Sequence, residues 1–248
     1  MSPPGRPKGE LPGSASAEGS PINPRRPTLR AGLLFDLDGT LAQTEHLHHA
    51  AFEALLAEYG RSLDHATFLR HVSGRSNADI TAFLFPDKDG AERDRLAQDK
   101  ERWFRELATA GVDATPGAIE LLAWGRDHGI ATGLVTNAPR ENADLMIAVL
   151  GLADAFDVVI CAPELPRSKP HPDPYLEALR VLSLDPAQTL VIEDSATGIA
   201  AARAAGLDVI ALATTATAAS IERSGAALTV ADMTDERIYE FAGARLLQ

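Results

Sequence analysis

The chain reads as an α/β protein, an open parallel sheet with an all-helical insertion after its first strand. Three observations predict this class. Short apolar runs recur at Ala31–Phe35, Ala131–Val135, Val158–Ile160, Leu190–Ile192 and Val209–Leu212. From Thr115 onward the runs alternate with helical patterns, which calls for parallel strands joined by right-handed crossovers. Between the first two runs, roughly seventy residues carry apolar positions three and four apart and no strand signal.

The first thirty residues are rich in Pro, Gly and Ser. They carry Arg6, Lys8, Arg25, Arg26 and Arg30 against Glu10 and Glu18, a net +3, which with −12 overall leaves −15 for the remainder. A flexible tail over 1–30 is expected, without the continuous apolar stretch of a secretory signal. The core is expected at 31–45 and 115–248, and a cap at 46–114. Cap helices are expected over His48–Tyr59, Ala66–Val72, Asn77–Phe85 and Ala91–Ala110, and core helices over Gly117–His128, Glu141–Leu150, Tyr175–Leu182 and Ala196–Ala205. In Tyr175–Leu182, the residues Leu176, Leu179 and Leu182 mark the expected sheet-facing side.

A hydrophobic fraction of 45% suffices for a packed core. The charge of −12 argues against nucleic acid as a partner, because phosphate backbones attract clustered Lys and Arg. No apolar run approaches the length of a membrane span, so no membrane partner is expected. A single cysteine, Cys161, cannot form an internal disulfide, which fits a reducing, cytoplasmic setting. No feature of the chain specifies an oligomeric state.

Polar residues gather just past the strand ends. Residues two apart in an extended segment face the same side, so Asp36 and Asp38 aim both acids at one point beyond the first strand. Open parallel sheets place their sites at that end. Thr136 and Asn137 follow the second strand, Lys169 lies in the loop after the third, and Glu193 with Asp194 follows the fourth. Four carboxylates in one crevice repel unless a cation sits among them or some are protonated. A hard divalent ion resolves this, and Mg²⁺ is expected because it completes its shell with water and phosphate oxygens.

With that ion and Lys169 offsetting charge, Asp36 is the expected nucleophile toward phosphorus, forming an aspartyl-phosphate. Asp38 is the expected acid and base: it protonates the departing alkoxide, then takes a proton from the hydrolytic water. The Thr136 hydroxyl and the Asn137 amide are expected to hold phosphoryl oxygens. Four prolines between Pro166 and Tyr175 stiffen the loop that must point Lys169 inward.

These motifs, in this order, resemble the haloacid dehalogenase-like phosphohydrolases. The family's DxDGT is matched by Asp36 to Thr40, its Ser/Thr motif by Thr136, its loop lysine by Lys169 and its acidic pair by Glu193 and Asp194. The resemblance covers nearly everything after residue 30. It implies a Rossmann-like core, a helical cap inserted after the first motif, and Mg²⁺ held by the Asp36 carboxylate, the Asp38 main-chain carbonyl and Asp194, with Glu193 holding the metal or its waters. Within the family, Val135 to Ala143, Gly74-Arg75-Ser76-Asn77 and Phe85-Pro86-Asp87 are similar to small-sugar-phosphate phosphatases of the beta-phosphoglucomutase-like branch. Gln43 departs from the Asp or Asn usual in relatives. The dehalogenase reaction is not expected, because those relatives lack the second acid that Asp38 supplies.

The function expected is therefore a Mg²⁺-dependent phosphatase acting on a small phosphorylated metabolite, a phosphate monoester of a sugar or polyol, under a mobile cap. A phosphosugar mutase that passes the phosphoryl group to another sugar hydroxyl shares every core residue. A non-catalytic binding module on the same fold is the alternative of another class. His48 either packs or touches substrate from the first cap helix. Gly74 suggests a tight cap loop facing the core, from which Arg75, Ser76 and Asn77 either read the organic part of the substrate or serve as loop polar groups. Ser195 is expected to cap the helix that follows it, and Cys161 to act as an inert small hydrophobe.

Overall fold

The computed structural model describes residue 1 and residues 30–214 and 225–248. The tail expected over 1–30 lies outside the described residues apart from Met1 and Arg30. Six parallel strands, β1 (Arg30–Phe35), β2 (Ala131–Thr136), β3 (Val158–Cys161), β4 (Leu184–Glu193), β5 (Asp208–Leu212) and β6 (Leu228–Val230), form one sheet in the order β3-β2-β1-β4-β5-β6. This is the doubly wound Rossmann-like order, and the direction of winding reverses between β1 and β4. Phe35 lies beside Leu134 of β2 and Ile192 of β4, so the residues after these strands emerge along one edge.

Side-chain alternation sends the strands into two cores. Leu33, Phe35, Leu134 and Ile192 pack with α5 (Ala118–Asp127), α6 (Arg140–Val149) and α9 (Glu236–Leu246). Leu34, Val135, Val191 and Val209 pack with α7 (Asp173–Leu182) and α8 (Ala196–Ala204) on the opposite face. Between β1 and α5 stand α1 (Glu45–Ala57), α2 (His65–His71), α3 (Asn77–Leu84) and α4 (Gly90–Ala108). They enclose a third cluster of their own, including Phe52, Leu55, Phe68, Ile80 and Leu96. Side-chain caps fix three of these helix starts: Asp64 accepts from the Thr67 amide, Ser76 from the Asp79 amide, and Asp89 forms a capping box with Glu92. Among the described residues no helix is long and apolar enough to cross a membrane.

The five expected strands and eight expected helices are present, with ends shifted by up to three residues except in β4, whose start lies six residues earlier. Among the described residues three further elements appear: β6, α9 and a short 3-10 turn over Ala162–Glu164. β6 is three residues long and only Val230 in it is buried, too short for alternation to show. α9 buries Ile238, Ala242 and Leu246 at a spacing of four, a helical signal present in the sequence. The sheet-facing side of α7 also differs. Tyr175, Ala178, Leu179 and Leu182 are buried while Leu176 is 47% exposed. The Tyr175 hydroxyl donates to Glu193 at 3.2 Å, and anchoring that ring inward turns Leu176 to the surface.

Gly117 precedes α5 with φ of +80°, and a Cβ there would lie 2.3 Å from the Met233 carbonyl carbon. Gly117→Ala is expected to cost roughly 2–6 kcal/mol, since left-handed strain and overpacking each contribute on the order of 1–3. Urea unfolding checks this through a lower midpoint at unchanged slope. An unmoved midpoint contradicts the packing described.

Candidate active site

The site forms where the sheet reverses its winding. Asp36 leaves β1 with its amide donating to the Ile192 carbonyl at 3.0 Å, which ties it to the end of β4. The turn that follows closes on the Leu37 carbonyl, which accepts from the amides of Thr40, Leu41 and Ala42, with Gly39 at φ +82°. Leu37 and Leu41 are buried and pin the turn to the core.

Lys169 is the hub. Its Nζ donates to Asp36 Oδ1 at 2.7 Å, to Glu193 Oε1 at 2.7 Å and to the Val135 carbonyl at 2.8 Å, and it lies 5.0 Å from the centre of the Tyr175 ring. All three donors of the ammonium are thereby used. Burial works against the charged form, but Asp36 and Glu193 outweigh it and hold the Lys169 pKa well above the usual lysine value. Burial is also the main force on Asp36, and with the carboxylates of Glu193 and Asp194 beside it the Asp36 pKa is raised despite Lys169.

Glu193 is completely buried. Its Oε1 accepts from Lys169 and Tyr175, and its Oε2 from the amides of Asp194 and Ser195 and the Ser195 hydroxyl. Ligation of a metal by Glu193 would compete with these five bonds. A Cβ at Gly198 would lie 1.5 Å from Glu193 Oε1, so glycine is required there for the carboxylate to rest on the first turn of α8. Ser195 caps α8 as the sequence suggests, accepting from the Gly198 amide. Asp194 Oδ1 accepts from the Thr40 hydroxyl at 3.0 Å.

Oxygens of Asp36, Glu193 and Asp194 lie within 4.8 Å of one another. Ionised together, three carboxylates against one ammonium would leave two negative charges in a buried pocket, a balance that one divalent cation with oxygen ligands would match. The donor set fits such an ion. Asp38 lines the same cavity but stands outside this trio, because its side chain is drawn toward the helical block. Its Oδ1 accepts from Thr44 Oγ1 at 2.8 Å and from His48 Nε2 at 3.1 Å. Burial alone would raise the Asp38 pKa, but His48, these hydrogen bonds and Lys100 outweigh it and leave it lowered.

His48 is placed by both halves of the molecule. Its ring stacks on Phe104 at 4.2 Å, and its Nδ1 faces Lys100 Nζ at 3.1 Å. An ammonium has only donors to offer, so Nδ1 accepts and Nε2 carries the hydrogen that reaches Asp38.

The Thr136 hydroxyl accepts from the Ala138 amide at 3.0 Å, which leaves its own hydrogen to donate into the cavity. Asn137 lines the cavity, and its side-chain amide also holds the Lys169 backbone, accepting from the amide at 3.1 Å and donating to the carbonyl at 3.3 Å. It aligns the lysine loop. Gly74, Arg75 and Asn77 line the cavity, and the Gly74 carbonyl accepts from Thr197 Oγ1 at 2.7 Å. Ser76 does not line it, being occupied as the cap of α3.

The cavity holds about 140 Å³ and separates the core acids from a wall made by the helical block. Sequence reasoning missed much of that wall. Lys100 and Glu101 are buried in α4, 2.8 Å apart. Glu101 accepts from Asn77 at 2.7 Å and from Asn142 of the core at 2.6 Å, while Arg105 donates to Asn142 Oδ1 at 2.8 Å. Residues one turn apart in α4 thus grip both ends of one core amide. A signal existed, since Lys100 falls on the stripe Leu96, Phe104 and Ala108, where a cation is out of pattern.

A model of the family described as haloacid dehalogenase-like hydrolase matches residues 33–212. The chain is 38% identical over 181 residues to N-acetylmuramic acid 6-phosphate phosphatase from Pseudomonas putida, covering 72% of this chain and 80% of that protein. It is 31% identical over 180 residues to fructose-1-phosphate phosphatase YqaB from Escherichia coli, covering 73% and 95%. The crystal structure of beta-phosphoglucomutase from Clostridium difficile superposes with a TM-score of 0.76 at 25% identity, covering 89% of this chain and 100% of that one. With its motifs, fold and clustered acids in agreement with these matches, the chain belongs to the haloacid dehalogenase-like hydrolases.

Proposed function

We propose that the protein is a Mg²⁺-dependent phosphatase that hydrolyses phosphate monoesters of small sugars or polyols through an aspartyl-phosphate on Asp36. The observation that carries this reading is the buried Asp36, held at 2.7 Å by Lys169 and within reach of Glu193 and Asp194, at the floor of a small cavity. The names of the two phosphatase relatives support the substrate class.

The ion, when bound by Asp36, Asp194 and the Asp38 main chain, neutralises charge on the phosphoryl oxygens. Asp36 attacks phosphorus while the bond to the leaving oxygen breaks. Lys169, its three donors engaged, stabilises the equatorial oxygens through its charge and the Thr136 hydroxyl through its hydrogen, and Asp38, once protonated, delivers a proton to the departing alkoxide. The same carboxylate then takes a proton from the water that cleaves the acyl phosphate. The lowered Asp38 pKa suits this second task, while the first requires Asp38 to take up a proton on substrate binding, when the negative charge of the incoming phosphate favours the acid form.

Residues 46–114 act as the cap over a core of 31–45 and 115–248. The two connecting segments run side by side, with the Gln43 amide donating to the Asp113 carbonyl and the Thr115 amide to the Leu41 carbonyl. Such a paired linker suits a hinge. Closure through Asn142 and Gly74 keeps bulk water out of the first transfer.

A screen of small phosphorylated metabolites for released phosphate tests the reading. Release from at least one sugar monophosphate is expected, falling roughly a hundredfold or more on chelation and returning with Mg²⁺. Isomerised sugar phosphate in place of free phosphate, with a bisphosphate activator present, would indicate the mutase instead. No turnover of any phosphate ester would leave only a binding module.

A further inference from the structure

The phosphatase reading leaves open which leaving group the cavity accepts, and Glu45 bears on that. Glu45 opens α1 and lines the cavity, yet its Oε2 is buried with no hydrogen-bond partner among the described residues. Burial raises its pKa, and His65, His49 and His48 oppose that only in part. None of the three rings donates to it. His49 Nε2 meets the Leu63 carbonyl, His48 lies between Asp38 and Lys100, and His65 stacks on Phe68. Lys100 is turned to Glu101 and His48.

A buried carboxylate oxygen without a donor is unfavourable, and a substrate that supplies one relieves it. Resting on the phosphatase reading, we propose that Glu45 accepts a hydrogen bond from a hydroxyl of the organic part of the substrate, and so selects a hydroxyl-bearing leaving group. The rest of the wall agrees with such a ligand. Phe52 offers an apolar face to the carbon skeleton, Glu101 offsets the charge of Lys100, and Arg75 adds a further donor to the same wall.

The test compares wild type with Glu45→Ala and Glu45→Gln on three kinds of ester: the best sugar monophosphate from the screen, its monodeoxy analogues, and phenyl phosphate, which has no hydroxyl. In wild type, one deoxy analogue is expected to lose roughly ten- to a hundredfold in kcat/KM relative to the parent. Glu45→Ala is expected to lower the parent sugar relative to phenyl phosphate by a similar factor and to erase the discrimination between parent and analogue. Glu45→Gln, which keeps an oxygen acceptor, is expected to retain part of it and carries the comparison if Glu45→Ala does not fold.

Unchanged discrimination in variants that still cleave phenyl phosphate overturns the role of Glu45 and spares the phosphatase reading. The absence of any discriminating analogue in wild type does the same. A wild type that cleaves neither sugar nor phenyl ester overturns both.

Discussion

Asp36→Asn is expected to reduce phosphate release by roughly a thousandfold or more, the scale on which removal of a covalent nucleophile is felt. The amide keeps the shape of the carboxylate but cannot form the acyl phosphate. Lys169 retains its bond to Glu193 in this variant, so the fold is expected to survive, with circular dichroism spectra matching wild type. Activity within tenfold of wild type would show that the phosphoryl group never passes through Asp36.

Lys169→Ala is expected to damage both stability and turnover. It strips the shared cation from Asp36 and Glu193, whose side chains are 11% and 0% exposed. Leaving a buried charge unpaired costs about 3–5 kcal/mol. Turnover is expected to fall roughly a hundredfold or more, because in the proposed reaction the charge of the same ammonium, held at 2.7 Å from Asp36, stabilises the transferring group. Lys169→Arg is not expected to rescue it. The three acceptors converge at 2.7 to 2.8 Å on one nitrogen, a geometry that suits a compact ammonium and not a planar fork. Denaturant unfolding and phosphate release together check the prediction, and a Lys169→Ala protein as stable as wild type would contradict the ion-pair account.

The core was legible because its signals are local. Apolar runs ending in Asp36, Thr136 and Glu193 announce strand ends, and parallel pairing in register then brings those ends together without further information. The order of strands was not legible, nor was β6, whose three residues are placed by pairing with Ile210 to Leu212. The roles of individual polar groups depended on partners distant in the chain. Asn137 lines the cavity as its place after β2 suggests, but its second part as a clamp on the lysine loop follows only from the return of residue 169 to its side. Asp38 shares the strand end with Asp36, yet Thr44 and His48 turn its side chain toward the helical block, an effect that spacing of two cannot encode. Glu101 and Asn142 lie 41 residues apart and become one hydrogen bond only when the helical block docks.

Rapid acid quench of the enzyme with a substrate labelled in its phosphoryl group, followed by peptide mapping, addresses the central claim most directly. Label is predicted on the peptide carrying Asp36, as an acyl phosphate cleaved by hydroxylamine, and is predicted to be absent in Asp36→Asn. Turnover with no labelled protein at any quench time, or label on a different residue, would contradict it.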